Sequence, residues 1–150
     1  GQQVGWFYTS ETGDQHAALW SGTASSLVDL HPFPGFGGSI LNATTGAIQV
    51  GSSHVPGGGS FGHAGIWFGT AASFIDLHQF LPPGYGASGA TSVYESNGVI
   101  YVGGVASNPL AGTSEAFMWI SVPAPSPSAL VFAGMLLRRR PGRRVHRTPE

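Results

Sequence analysis

An all-β repeat fold is what this sequence predicts, from its low charge with frequent turn residues, from an internal repeat and from its hairpin signals. Gly (24 residues) and Pro (11) are frequent, aromatics reach 11% and charged residues only 9% of the 150-residue chain. That mix suits many short strands joined by turns, and it is too aromatic and too weakly charged for a disordered chain. The segment from His16 to His31 returns from His63 to His78, offset by 47 residues with no gap over sixteen positions. Within it His16-Ala17, Trp20, Gly22-Thr23-Ala24 and Asp29-Leu30-His31 match His63-Ala64, Trp67, Gly69-Thr70-Ala71 and Asp76-Leu77-His78. A shorter echo, Glu115-Ala116-Phe117-Met118-Trp119, follows.

Each unit is expected to hold four short strands. Val-Gly pairs at Val4-Gly5, Val50-Gly51 and Val102-Gly103 precede the Trp, with the Val 16, 17 and 17 residues ahead of it. The first strand, 47–50 or 99–102, ends at Gly where the chain must turn. A Gly- and Ser-rich loop leads to the Trp strand, 63–68, and a Gly-Thr-Ala corner leads to the Asp-Leu strand, 73–78. A Pro-Gly-aromatic loop (Pro34-Gly35-Phe36-Gly37, then Pro83-Gly84-Tyr85-Gly86) precedes the last strand, 91–96. Asn97-Gly98 supplies the positive φ angles of a primed hairpin turn into the next unit, and Thr45-Gly46 holds the same place earlier.

A period of 46 to 52 residues with four strands per unit is that of a β-propeller blade. One blade cannot bury both faces, so the units must stack, with Trp20, Trp67 and Trp119 in equivalent buried positions. About two and a half units are expected, at about 4–49, 50–101 and 102–120, the last stopping after two strands at Ile120. The missing strands are expected from the N-terminal end of a longer chain, of which this is the C-terminal part.

The net charge of −1 hides a segregation, because all six Arg lie between Arg138 and Arg147 and there is no Lys. Residues 1–137 carry six carboxylates and no cationic Lys or Arg, a balance of −6, and the tail from Arg138 carries +5. A body without Lys or Arg does not neutralise phosphates, which excludes nucleic acid as its partner. Without Cys there is no disulfide, Cys-zinc site or thiol nucleophile.

Beyond Ile120 the composition changes. Residues 121–127 are a Pro-spaced linker, Ser128–Leu137 is an apolar run expected to be a short helix, and Arg138-Arg139-Arg140 follow directly. A basic cluster after an apolar helix stays cytoplasmic, which would put the repeats outside. Ten apolar residues are too few for a permanent span, which takes ~20.

Two resemblances follow from these motifs. Val-Gly, His-Ala-x-x-Trp and Asp-Leu in that order, over residues 1–120, resemble the HAF family of bacterial extracellular repeats, named for a His-Ala-Phe triplet. His16-Ala17 and His63-Ala64 keep two residues of the triplet, and Ala116-Phe117 keeps the other two. The segment 122–144 resembles the PEP-CTERM sorting signal, whose Val-Pro-Glu-Pro motif precedes an apolar helix and an Arg cluster. Val122-Pro123-Ala124-Pro125 carries Ala where the family usually has Glu, and Arg138, Arg139 and Arg140 form the cluster. That resemblance implies export, transient inner-membrane anchoring and processing by an exosortase-type membrane transpeptidase. The product would be periplasmic, on the outer surface or in the extracellular matrix of a Gram-negative-type bacterium.

The residues with chemistry have a structural reading. His16 and His63 are expected to bond backbone at a blade corner, with Glu115 replacing them in the third unit. Asp29 and Asp76 are expected to accept backbone N–H groups at turns, without the dense oxygen neighbours of a calcium site. No catalytic residue, metal ligand or cofactor is assigned, since zinc needs three or four converging ligands. Trp6-Phe7-Tyr8 is the candidate exposed aromatic patch. The expectation is a non-enzymatic, surface-sorted structural or interaction protein. The alternatives are a glycan-binding module contacting extracellular polysaccharide, or a propeller lyase or glycosidase with its catalytic groups on other blades.

Overall fold

The computed structural model describes residues 1–32, 35, 37–54, 62–122 and 131–137. Eleven strands form three antiparallel sheets, and the described residues contain no α-helix. The first sheet holds β1 (Gln3–Tyr8), β2 (Gln15–Trp20) and β3 (Val28–Asp29). The second holds β4 (Ser39–Thr44), β5 (Gln49–Ser53), β6 (His63–Trp67) and β7 (Ile75–Asp76). The third holds β8 (Ala87–Ser96), β9 (Val99–Asn108), β10 (Thr113–Val122) and β11 (Val131–Leu136). Every sheet is a meander in which chain neighbours pair.

The local chemistry explains the turns. Asn97 (φ 52°) and Gly98 (φ 75°) both take positive φ, which suits the right-handed twist of β8 and β9. Both strands belong to one sheet, so passage between sheets is made by the Pro-Gly-aromatic loops instead. At Thr45-Gly46 only Gly46 is left-handed, so that turn is of another type. The Gly-Thr-Ala corners tighten into 3₁₀ turns at Ala24–Ser26 and Ala71–Ser73, which leaves β3 and β7 only two residues each. Bulges between Leu41 and Ala43 and between Ala90 and Ser92 press a carbonyl against the next strand. A Cβ on Gly51 would lie 1.9 Å from the Ile40 oxygen, and one on Gly104 would lie 2.2 Å from the Gly89 oxygen. Glycine is required at both.

The core lies between the sheets. Trp67 of the second sheet packs with Ala17, Leu19, Leu30 and Leu41, with Val4 and Phe74 at the margin. Trp119 of the third sheet packs with Ile48, Val50, Ala64, Ile66 and Leu77 of the second. Trp67 and Trp119 are 0% exposed, and neither indole N–H has an acceptor among the described residues. Among the described residues it is apolar packing that holds them.

Four expectations change. The run 128–137 is not a helix in its described part: Val131–Leu136 is β11, paired with β10 from Phe117↔Leu136 to Val122↔Val131. A short apolar run fits a strand as well as a helix, and the open edge of β10 offers a complete row of partners. Gly134 lets β11 pass the Phe80 carbonyl, where a Cβ would sit 2.8 Å away. The third sheet therefore has four strands and does not stop at Ile120. Third, Trp20 is only half-buried, because no described sheet covers its face. Fourth, Val102 is out of register with Val4 and Val50. It pairs with Trp119, whereas Val4 pairs with Leu19 and Val50 with Ile66. Gly104, opposite Phe117, is the counterpart of Gly5 and Gly51, and one residue of shift turns Val102 to the other face.

Candidate functional site

The polar side chains singled out in the sequence meet where one sheet hands over to the next. His16 on β2 faces Asp29 on β3, and its Nδ1–H donates to Asp29 Oδ2 at 2.8 Å. The other carboxylate oxygen accepts the His31 N–H at 2.8 Å. The His31 ring stacks on His16 with centroids 4.0 Å apart and planes 8° from parallel. His31 Nδ1 lies 2.9 Å from the Ser39 hydroxyl on β4, whose oxygen accepts the Ala17 N–H at 2.9 Å. β4 belongs to the second sheet, so the chain His16–Asp29–His31–Ser39 fastens the second sheet to the first.

The same construction stands between the second and third sheets. His63 Nδ1 reaches Asp76 Oδ2 at 2.9 Å, and Asp76 Oδ1 accepts the His78 N–H at 2.8 Å. His63 and His78 stack at 3.9 Å and 11°. Ser88 on β8 lies 2.9 Å from His78 Nδ1 and accepts the Ala64 N–H at 2.9 Å. His78 Nε2 approaches the Tyr85 carbonyl at 3.2 Å.

A carbonyl only accepts, so His78 Nε2 carries a proton. The pKa of His78 is held below the usual 6.5 mainly by burial and then by His63, which favours the neutral ring, and in that form Nδ1 accepts from the Ser88 hydroxyl. Asp76 and the Tyr85 carbonyl pull the other way and are outweighed.

Ser88, His78 and Asp76 thus touch without forming a nucleophile. The second nitrogen of His78 goes to a carbonyl, and Asp76 engages the His78 backbone and His63. A serine activated for attack needs its His oriented by a third group through the other ring nitrogen, with the hydroxyl accessible. Ser39 and Ser88 are both buried. Among the described residues no three of His, Asp and Glu converge as a metal site.

The expected positions fare unequally. Asp29 and Asp76 do accept backbone N–H groups at their turns. Among the described residues His16 and His63 bond no backbone group through their rings; each donates to the carboxylate opposite, because β2–β3 and β6–β7 pairing brings His and Asp alongside. Glu115 on β10 accepts the Tyr85 hydroxyl, so its carboxylate takes a partner from the loop before β8. Val122 ends β10, exposed. Pro123, Ala124, Pro125, Arg138, Arg139 and Arg140 lie outside the described residues.

Ser39 and Ser88 were not anticipated. Their signal was present, since each stands five residues after the Pro of a Pro-Gly-aromatic loop. The first sheet also carries an open groove of about 460 Å³ lined by Phe7, Tyr8, Glu11, His16 and Asp29. Tyr8 (61% exposed) is part of that lining, and Trp6 (45% exposed) meets Tyr8 edge-to-face at 5.1 Å. The chain matches no family model, no curated protein and no solved structure.

Proposed function

We propose that this chain is part of an exported, non-enzymatic structural or interaction protein whose sheets are blades of a propeller-type stack. The observation that carries the structural part is the recurring His–Asp–His–Ser chain. Its Nδ1 atoms, carboxylates and hydroxyls are engaged in fastening sheet to sheet, which leaves little to perform chemistry. Dialysis against a strong chelator is expected to leave the melting temperature unchanged. A large drop restored by zinc would overturn the reading of His16, His31, His63 and His78.

The export part rests on the sequence of the tail, with Val122-Pro123-Ala124-Pro125 and Arg138-Arg139-Arg140 as a processing signal for an exosortase-type transpeptidase. Val131–Leu136 is an edge strand with one neighbour, so delivering the segment to a membrane requires β11 to leave β10. Mass spectrometry of the mature protein from its native host tests this. A cleaved form lacking Arg138 and beyond is expected, and a mature form that retains them would sink the sorting reading.

The groove lined by Phe7 and Tyr8 favours a second reading, glycan binding. Exposed aromatic faces next to carboxylates suit sugar rings, which stack on their apolar face and hydrogen-bond at the rim. A glycan array probed with the wild-type chain and with Tyr8→Ala separates the two readings. Binding lost in the variant supports the glycan site.

A further inference from the structure

We propose that the outward faces of the first and third sheets are two halves of one interface, joined head to tail between copies of this chain. The two internal junctions give the rule. In each, the Trp of the following sheet shares a buried cluster with an Ala, a branched aliphatic and a Leu of the preceding one: Trp67 with Ala17, Leu19 and Leu30, and Trp119 with Ala64, Ile66 and Leu77.

One knob and one seat have no counterpart among the described residues. The knob is Trp20, half-buried on the outward face of the first sheet, where Phe7 lies on the same side of β1. The seat follows from strand register. Leu30 and Leu77 donate their N–H to the carbonyls of Ala17 and Ala64 at 2.8 Å, and Leu137 does the same to Ala116 at 3.0 Å. Ala116, Met118 and Leu137 therefore occupy the places of Ala64, Ile66 and Leu77. Leu77 is 0% exposed and Leu137 is 45% exposed. Val105 and Met135, each 49% exposed, extend the apolar surface around them.

Both seats hold an indole from the next-to-last strand of a meander, and Trp20 on β2 is that indole in the first sheet. Residues 1–137 contain no Lys or Arg, so the face offers nothing to an acidic partner. It is an apolar seat, and copies of net charge −1 repel only weakly. Because knob and seat lie on different surfaces, the contact is heterologous, and each copy uses its knob on one neighbour and its seat on another or closes a ring with it.

Sedimentation velocity of the 150-residue chain over rising concentration tests this. Species larger than the monomer are expected to grow with concentration. Trp20→Ser (knob removed) and Met118→Lys (seat removed) are each expected to stay monomeric. Their equimolar mixture is expected to form dimers and stop there, since only one intact seat and one intact knob remain per pair. Near-ultraviolet circular dichroism, dominated by buried Trp67 and Trp119, reports whether a variant is folded. If either is not, Phe7→Lys and Met135→Lys replace them, both at partly exposed positions. A wild-type monomer at all concentrations, assembly unaffected by these substitutions, or a mixture that stays monomeric would each overturn the proposal. The recombinant 150-residue chain is unprocessed and is tested without glycan, so a failed association leaves the sorting and glycan readings standing.

Discussion

β7 and β11 occupy the same place in consecutive sheets and share almost no chemistry. Ile75-Asp76-Leu77 places a carboxylate where His63 and the His78 N–H both use it. Met135-Leu136-Leu137 sits in the same register against β10, with Leu136 opposite Phe117 as Asp76 is opposite Gly65. What the two share is backbone, the Leu N–H to Ala carbonyl bond at the end of each strand. Where the second sheet is closed by a polar fastening, the third is closed by apolar contact, with Phe132 buried and its ring 6.0 Å from that of Phe80. A strand position in a meander is thus defined by its ladder, and either kind of side chain can fill it.

The comparison breaks most easily at its apolar side. Trp67→Ala is expected to cost about 3–5 kcal/mol, the range for truncating a buried aromatic. Phe132→Ala is expected to cost roughly 3 kcal/mol, at the lower end because β11 is an edge strand. Denaturant titrations followed by Trp fluorescence measure both. A Phe132→Ala chain as stable as wild type would mean that β11 contributes nothing to the third sheet, and the equivalence with β7 would fail.

What was legible in the sequence follows the same division. The repeat from His16 to His31 and from His63 to His78 was visible because its side chains recur, and those segments do form matching strands and corners. Asn97-Gly98 was legible because positive φ at both positions narrows the residue choice. β11 was not, because a strand held through its backbone leaves no motif, and its apolar run fitted a helix equally well. The register of Val102 was missed for a related reason. A Val-Gly dipeptide looks the same on either face, and only the bulge beside Gly104 reveals which glycine faces the carbonyl. Half of the network was legible from the His and Asp repeats, and Ser39 and Ser88 lay just outside the matched window.

The polar side gives the intermediate effect. Asp76→Ala leaves the His78 N–H and His63 Nδ1–H without their acceptor and is expected to cost about 1–3 kcal/mol. Asp29→Ala removes the matching contacts in the first sheet, where the side chain is 45% exposed against 27% for Asp76. Water replaces the lost partner there, and the expected cost is under about 1 kcal/mol. Equal losses in the two variants, measured by urea midpoints, would show that the two networks do not differ in solvent access.

The smallest effect is in the pH dependence, and it separates the second sheet from the third, whose described strands contain no His. Burial and then His63 hold His78 below its ordinary pKa, against the opposing pull of Asp76 and the Tyr85 carbonyl. The unfolded chain therefore binds a proton at this site more readily than the folded one. The contribution of neutral His78 is complete above about pH 6.5, the unfolded value, and is lost as pH falls through its lower folded value. His78→Gln keeps a hydrogen-bonding side chain and removes the titration. Urea midpoints measured from pH 8 to pH 5 are expected to fall for the wild type and to fall less for His78→Gln. Parallel curves would place the acid sensitivity elsewhere, and the neutral tautomer that links His78 to Ser88 and Tyr85 would lose its support.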